Sequence, residues 1–179
     1  MGSAQTLSEA DRRVLAVWAA DCAERVLPLF EAVVPTDARP ADAIARARAF
    51  GLGRLDAASQ IRMRFVAGRA ATGATSPAAV AAARSAAQAS GVAHMGAHAL
   101  GAAGYAAKAA GLARSDRAGA VEAELRWQLE HSSAPVRDAL RRLPAVGEEP
   151  TGPLGPGLLT RGDLGAIIGR LQDALAALG

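Results

Sequence analysis

The sequence predicts an all-α fold, a compact bundle of about six to seven helices with a Pro/Gly-rich arm before the last helix. Alanine, the residue with the highest helix propensity, accounts for 47 of the 179 residues. Apolar residues recur at helical spacing in most segments. The sequence does not show the sustained alternation of β-branched and polar residues that strands need. The length suits one domain with its own core, so we interpret residues 1–179 as a single helical domain.

Three helices are predicted in the first part of the chain. Ser8 is a good N-cap for the first helix, because its side chain can accept a hydrogen bond from a free backbone N–H. Pro28 falls inside the apolar pattern of this helix and predicts a kink or a split there. Pro40 favours the start of a second helix. The first helix should end before 34–37, the second should cover 41–50, and the third should run from about 54 to 71.

The rest of the chain predicts three more helices, an arm and a last helix. Ser76 and Pro77 form a strong start signal, and Asp116 caps the following helix. The three helices are predicted over 77–113, 116–130 and about 134–143. Residues 144–160 hold most of the late Pro and Gly, which is typical of a surface arm or linker. Thr160 then opens a C-terminal helix that ends near Leu178.

Five glycines interrupt the alanines of the long helix predicted over 77–113. A glycine inside a helix costs up to about 1 kcal/mol relative to alanine. Close packing against another backbone would offset this cost, so we expect the helix to be central. A compositional bias toward Ala and Gly is the alternative. The small-residue face would also suit a homodimer. The glycines are Gly91, Gly96, Gly101, Gly104 and Gly111.

Composition excludes several classes of protein. The 51% hydrophobic content and the net charge of only +3 do not fit a disordered chain. A single cysteine, Cys22, cannot form an internal disulfide, which argues against a disulfide-stapled secreted scaffold. The pattern of a signal peptide is missing, and so is an apolar stretch free of charge that could cross a membrane. We therefore expect a cytoplasmic protein without a membrane partner.

Charge is concentrated in the middle of the chain. Residues 41–114 carry 9 basic and 2 acidic side chains, whereas the segments on either side each have a balance of −2. This excess predicts either an oxyanion-binding surface or a solvated face that pairs with the acidic outer segments. The 3% aromatic content and the lack of a recognised motif give no expectation of nucleic-acid binding. Most of the excess comes from Arg46, Arg48, Arg54, Arg62, Arg64 and Arg69.

Polar and aromatic residues share a face of the first helix. Asp21 and Arg25 are four residues apart, which predicts an ion pair, and Trp18, Cys22 and Arg25 share the face expected to be buried. The pair would either fix helix packing or line a binding pocket. A reactive cysteine is a weaker interpretation, because no spacing suggests a nucleophile with its base. Trp18 and Trp127, the latter in the fifth predicted helix, should both anchor the core, each with an acceptor for its indole N–H.

His94, His98 and Tyr105 should form one stripe along the 77–113 helix. Two histidines at this spacing can chelate a metal, but the glutamate of the zinc-protease pattern is missing between them. We therefore predict histidines that form hydrogen bonds across the bundle. The sequence gives no catalytic residues, no metal ligands and no cofactor.

Four stretches resemble helical immunity proteins related to the fifth immunity family of polymorphic toxin systems. The resemblance covers roughly residues 8–143 and implies an all-helical cytoplasmic protein that neutralises a cognate toxin by binding it, without an active site. The first stretch, which holds Trp18, Asp21 and Arg25, is the most specific. The stretches are Asp11–Arg13 with Trp18–Glu31, His94–Ala106, Ala123–Leu129, and Leu143–Pro144.

We therefore predict a non-enzymatic binding protein, an immunity protein whose partner is a protein toxin. The alternative is a helical small-molecule binder that acts in self-resistance or sequestration. An enclosed pocket between the first helix and the 77–113 helix would favour the small molecule, and a filled core with a grooved polar surface would favour the protein partner. The candidate contact residues are Trp18, Asp21, Arg25, His94, His98, Tyr105 and Trp127.

Overall fold

The computed structural model describes residues 3–63 and 66–178, and these residues form helices and turns without any strand. The all-α class is therefore confirmed. Arg64, one of the middle-segment arginines, lies outside the described residues. The α-helices are α1 (Glu9–Glu31), α2 (Arg39–Gly51), α3 (Ala57–Met63), α4 (Val66–Ala70), α5 (Pro77–Gly91), α6 (His98–Leu112), α7 (Arg117–Glu130), α8 (Ala134–Arg141) and α9 (Gly162–Ala177).

The described residues hold more helical segments than the six to seven predicted. The third predicted helix is described as α3 and α4, on either side of residues 64 and 65, which lie outside the described residues. The prediction of one continuous helix over 77–113 is wrong, since α5 ends at Gly91 and α6 begins at His98. A straight helix of that length would extend about 55 Å. Folding back on itself lets the two alanine-rich halves bury each other instead.

The α5–α6 hairpin forms the centre of the core. The Ser85 hydroxyl donates to the carbonyl oxygen of Ala102 at 2.7 Å, which ties the two antiparallel helices together. The helix α1 packs on both, and α7 and α9 pack on α6. Residues 99–107 of α6 are all buried. The expectation that this part of the chain is central therefore holds for α6.

Close packing offsets the cost of the α6 glycines. A Cβ on Gly104 would lie 2.7 Å from Cγ1 of Ile168 in α9, and one on Gly111 would lie 2.7 Å from Cγ2 of Val121 in α7. The neighbours are side chains, whereas we expected another backbone. The small-residue face is thus covered by helices of the same chain.

The first helix begins where the N-cap signal predicted. The Asp11 backbone N–H donates to Ser8 Oγ at 3.1 Å, and the Ser8 hydroxyl donates to Asp11 Oδ2 at 2.7 Å. Arg142, just after α8, pairs with Asp11 Oδ1 at 2.5 Å. The Ser8 hydrogen bond, helped by the Arg142 cation, lowers the pKa of Asp11. The helix then continues through Pro28 without the predicted split.

The Pro/Gly-rich segment 144–160 contains turns and no helix, and it packs on the body of the protein. Leu154 and Leu159 are buried in the core. Buried Gln5 holds the segment in place: its Nε2 donates to the carbonyl oxygen of Thr151 at 2.7 Å, and its Oε1 accepts from the backbone N–H of Leu154 at 2.9 Å. Across the described ranges, every helix is too short or too polar to span a membrane.

Candidate functional site

Asp21 and Arg25 do not pair with each other, so the predicted i, i+4 ion pair is wrong. Arg25 Nε lies 3.0 and 3.1 Å from the two carboxylate oxygens of Glu124 in α7. Asp21 instead accepts from Arg48 of α2 at 2.7 Å. Each side chain on α1 therefore pairs with a neighbouring helix, and the nearly buried Glu124 of α7 receives its cation from α1. The predicted burial of Arg25 is also wrong, since its side chain is 38% exposed, whereas that of Glu124 is only 6% exposed.

Arg25 also contacts an aromatic pair at the end of α7. Its guanidinium carbon lies 3.9 Å from the centre of the Trp127 ring, which is a cation–π contact. The His131 ring stacks on Trp127 with 4.1 Å between ring centres and 17° between planes. His131 Nδ1 donates to the carbonyl oxygen of Trp127 at 2.8 Å, which fixes the imidazole in this position. Arg25, Trp127 and His131 thus form one ordered unit at the surface.

Arg48 closes the other side of this unit. Its guanidinium bridges Asp21 at 2.7 Å and Glu24 at 2.8 Å. This arrangement agrees with the interpretation that the central arginines pair with acidic residues of the first segment. It also holds two carboxylates of α1 in fixed positions at the surface.

Five of these residues line an open groove of about 340 Å³ between α1 and the end of α7, which we call the Trp127 groove. It combines a half-buried indole, an imidazole, a guanidinium and two carboxylates. Such a mixture of aromatic and arginine side chains is typical of residues that dominate protein–protein contacts. The lining residues are Asp21, Glu24, Arg25, Trp127 and His131.

Trp18 does not reach this groove. Its ring is 3% exposed, and its Nε1–H donates to the carbonyl oxygen of Gln128 at 3.0 Å. Gln128 in turn donates through Nε2 to the carbonyl oxygen of Ala103 at 3.0 Å. Trp18 therefore acts as a core anchor that connects α1 to α7, with the indole acceptor that we predicted for both tryptophans.

Cys22 is equally buried, and burial raises the pKa of its thiol well above the ordinary value. Thiolate is the nucleophilic form of cysteine, so the raised pKa and the burial both make Cys22 unreactive.

The two candidate histidines lie at the turn between α5 and α6, so the predicted single helical stripe is wrong. His94 is exposed in the connection, whereas His98 is the first residue of α6. His98 Nδ1 lies 2.8 Å from Gln88 Oε1, a hydrogen bond between α5 and α6 as predicted. Both histidines line an open groove of about 430 Å³ beside Leu158. Within the described residues, His, Cys, Asp and Glu side chains do not gather in threes as a metal ion would require.

Tyr105 lies in a third place, with 2% exposure, under the guanidinium of Arg84. The structure therefore brings together Asp21, Arg25 and Trp127 of the candidate residues, and it separates them from the histidines and from Tyr105. The single pocket that the small-molecule alternative required is not formed by these residues.

Sequence reasoning missed Glu124, Arg48 and Gln88, the partners of Arg25, Asp21 and His98. Glu124 could have been found, because it shares a helical stripe with Val121, Leu125 and Gln128, and a carboxylate on a buried stripe needs a cationic partner. The pairing partners of exposed arginines leave no comparable signal.

The protein is therefore an all-α protein with an open surface groove that is lined by charged and aromatic side chains. The chain matches the family model described as Imm-5 like putative immunity protein over residues 5–135, and it belongs to that family. The resemblance predicted from the sequence is therefore confirmed. The matched range includes every residue of the Trp127 groove and ends within α8. Comparisons with curated proteins and with solved structures gave no match.

Proposed function

We propose that this chain is a non-enzymatic, cytoplasmic immunity protein that neutralises a cognate protein toxin by binding it through the Trp127 groove. Family membership supports the immunity role. We choose the Trp127 groove as the binding surface because Arg25, Trp127 and His131 are in direct contact there.

The groove is pre-organised for a partner. Arg25 is held from two directions, by the buried carboxylate of Glu124 and by the ring of Trp127. A side chain that is already fixed loses little conformational entropy on binding, so more of its contact energy contributes to affinity. Trp127 remains half-buried, which leaves ring surface for a partner to cover.

The local charge favours a cationic group of the toxin. Asp21 and Glu24 supply two carboxylates to the lining and Arg25 supplies one guanidinium, while Glu124 and Arg48 behind them add one charge of each sign. The groove thus has a negative excess on a chain whose net charge is +3. Complementary charge at an interface increases the association rate and the specificity of binding.

A protein partner fits the distribution of the candidate residues better than a small molecule does. A protein covers an extended open surface, whereas a small ligand needs polar groups that converge on one cavity. His94, His98 and Tyr105 line other grooves and lie outside the Trp127 groove.

A growth-rescue experiment tests this proposal. The cognate toxin is expressed in a bacterial host together with the wild-type chain or with a variant. We expect the wild-type chain to restore growth and the double variant Arg25→Ala/Trp127→Ala to lose most of the protection. Arg54→Gln is the matched control, because Arg54 is exposed, lies outside the groove and removes one positive charge as well.

The outcomes separate the two parts of the proposal. Failure of the wild-type chain to rescue growth, at a level where both proteins are seen in the cells, would refute the immunity role for this toxin. Full rescue by a folded Arg25→Ala/Trp127→Ala variant would refute the Trp127 groove as the contact surface.

A further inference from the structure

A second groove of about 380 Å³ lies between α5 and α6 and shares no lining residue with the Trp127 groove. We call it the Lys108 groove. Its walls are two helical stripes, and Arg117 of α7 closes one end. The lining residues are Thr75, Pro77, Val80, Ala81, Arg84, Tyr105, Lys108, Leu112 and Arg117.

The two stripes give the groove an apolar floor. Pro77, Val80, Ala81 and Arg84 follow the i, i+3, i+4, i+7 spacing of one helix face on α5. Val80 and Leu112 are half-buried and leave apolar surface in the groove. The volume lies in the range of about 300–1,000 Å³ that is usual for small-molecule sites.

Three cations surround this floor, and an internal carboxylate engages two of them. Lys108 Nζ lies 2.6 Å from Asp163 Oδ1, and Arg117 pairs with the other oxygen of the same side chain. The Lys108 hydrogen bond is the main cause that lowers the pKa of Asp163. The contacts with Asp163 show that Lys108 and Arg117 are positioned to bind a carboxylate.

The third cation, Arg84, lies 5.8 Å from the centre of the Tyr105 ring. Among the described residues, its guanidinium has no carboxylate within ion-pair distance. Burial raises the pKa of Tyr105, against the opposing effect of Arg84, so the phenol stays neutral and adds no compensating charge. The groove therefore has a positive excess beside an apolar floor.

We propose that the Lys108 groove binds a small amphipathic carboxylate. Its oxyanion contacts Arg84 and Lys108, and its short apolar part lies on Val80 and Leu112. An arginine matches the planar carboxylate with two parallel N–H donors, and burial of the apolar part supplies the rest of the affinity. The ligand's carboxylate would form the ion pair with Arg84 that no acidic side chain of the described residues forms.

Lys108 is the sole lysine of the chain, which gives a direct probe of this groove. Reductive methylation with an isotope-labelled reagent places one dimethylamine at Lys108 and keeps its positive charge. The chain's α-amine gives the other signal, and its different pKa separates the two in the NMR spectrum. Octanoate is the probe, with octanol and inorganic phosphate as the uncharged and the purely anionic comparisons.

We expect octanoate to shift the Lys108 signal in a saturable way at a concentration about tenfold lower than phosphate needs. Octanol should leave the signal unchanged, because it lacks the oxyanion. Arg84→Gln should weaken octanoate binding about tenfold, and the control Arg54→Gln should leave it unchanged. Val80→Glu, which places a carboxylate in the groove, should abolish the shift.

The proposal is overturned if octanoate causes no saturable shift, or if octanol shifts the Lys108 signal as octanoate does. Equal octanoate affinity in wild type and in Arg84→Gln also overturns it. Circular dichroism of each variant shows that it is folded, and Val80→Glu tests the groove independently of any change at Arg84.

Discussion

The contact between Arg25 and Glu124 should contribute to stability in a way that depends on both partners. In Arg25→Ala the Glu124 carboxylate, 6% exposed, loses its cationic partner. A lost hydrogen bond between charged groups costs about 1.5–3 kcal/mol. The lost cation–π contact with Trp127 adds about 0.5–1 kcal/mol. We therefore expect Arg25→Ala to lower the free energy of unfolding by about 2–4 kcal/mol.

The second variant of the cycle changes the other partner. Glu124→Gln removes the buried charge and leaves Arg25, 38% exposed, free to turn toward water, so it should cost only about 1 kcal/mol. In the Arg25→Ala background the same change removes an unpaired buried charge. There it should be neutral or stabilising, which corresponds to a coupling energy of about 1 kcal/mol or more.

Urea unfolding followed by far-ultraviolet circular dichroism measures all four proteins of this cycle. Arg48→Ala is the matched control, because the Arg48 ion pairs are largely exposed and should contribute at most about 1 kcal/mol. If Glu124→Gln costs the same in both backgrounds, Arg25 and Glu124 do not interact and the description of the groove is wrong.

Three further predictions follow from packing, charge and burial. Gly104→Ala should lower the free energy of unfolding by about 1–3 kcal/mol, because its methyl group would meet Ile168. In Gly68→Ala the methyl group would lie 4.0 Å from the Cβ of Ala87, an ordinary contact, so this change should be neutral or stabilising. Equal effects in urea unfolding would contradict the packing of α6. Asp11→Asn should lower the free energy of unfolding by about 1 kcal/mol near neutral pH. Because the pKa of Asp11 is lowered in the folded state, this loss of stability is present above the ordinary pKa of 3.8 and disappears as the pH falls through the pKa of the folded state. A difference that persists in acid would show another origin. Cys22 should react with a thiol reagent only after unfolding, and rapid reaction of the native protein would contradict its burial.

Helix propensity and capping signals predicted the fold class. They did not predict the helix boundaries that depend on tertiary contacts. The Ser8 cap and the start of α5 at Pro77 follow from local signals that the structure confirms. The break after Gly91 does not, because 18 of the 37 residues of 77–113 are alanine, the strongest helix former. The break is stabilised from outside the hairpin: the backbone N–H of Gly96 donates to the carbonyl oxygen of Thr6. A contact so distant in sequence leaves no periodic signal.

The candidate site was predictable in its residue types and only partly in its geometry. The sequence singled out Trp127 of α7 together with Asp21 and Arg25 of α1, and all three line one groove in the structure. Their partners were assigned wrongly, because helical spacing shows which residues share a face and not which helix packs against that face. Arg25 pairs with Glu124 of α7 and Asp21 pairs with Arg48 of α2, in place of the pair predicted within α1.

The claim that the toxin binds over Trp127 can be tested with the two tryptophans of the chain. Protein labelled with fluorotryptophan gives one fluorine NMR signal from buried Trp18 and one from half-buried Trp127, and Trp127→Phe assigns them. On addition of the toxin at saturating concentration, we expect the Trp127 signal to shift and the Trp18 signal to stay unchanged. A toxin complex that forms while the Trp127 signal stays unchanged would rule out the Trp127 groove as the contact surface.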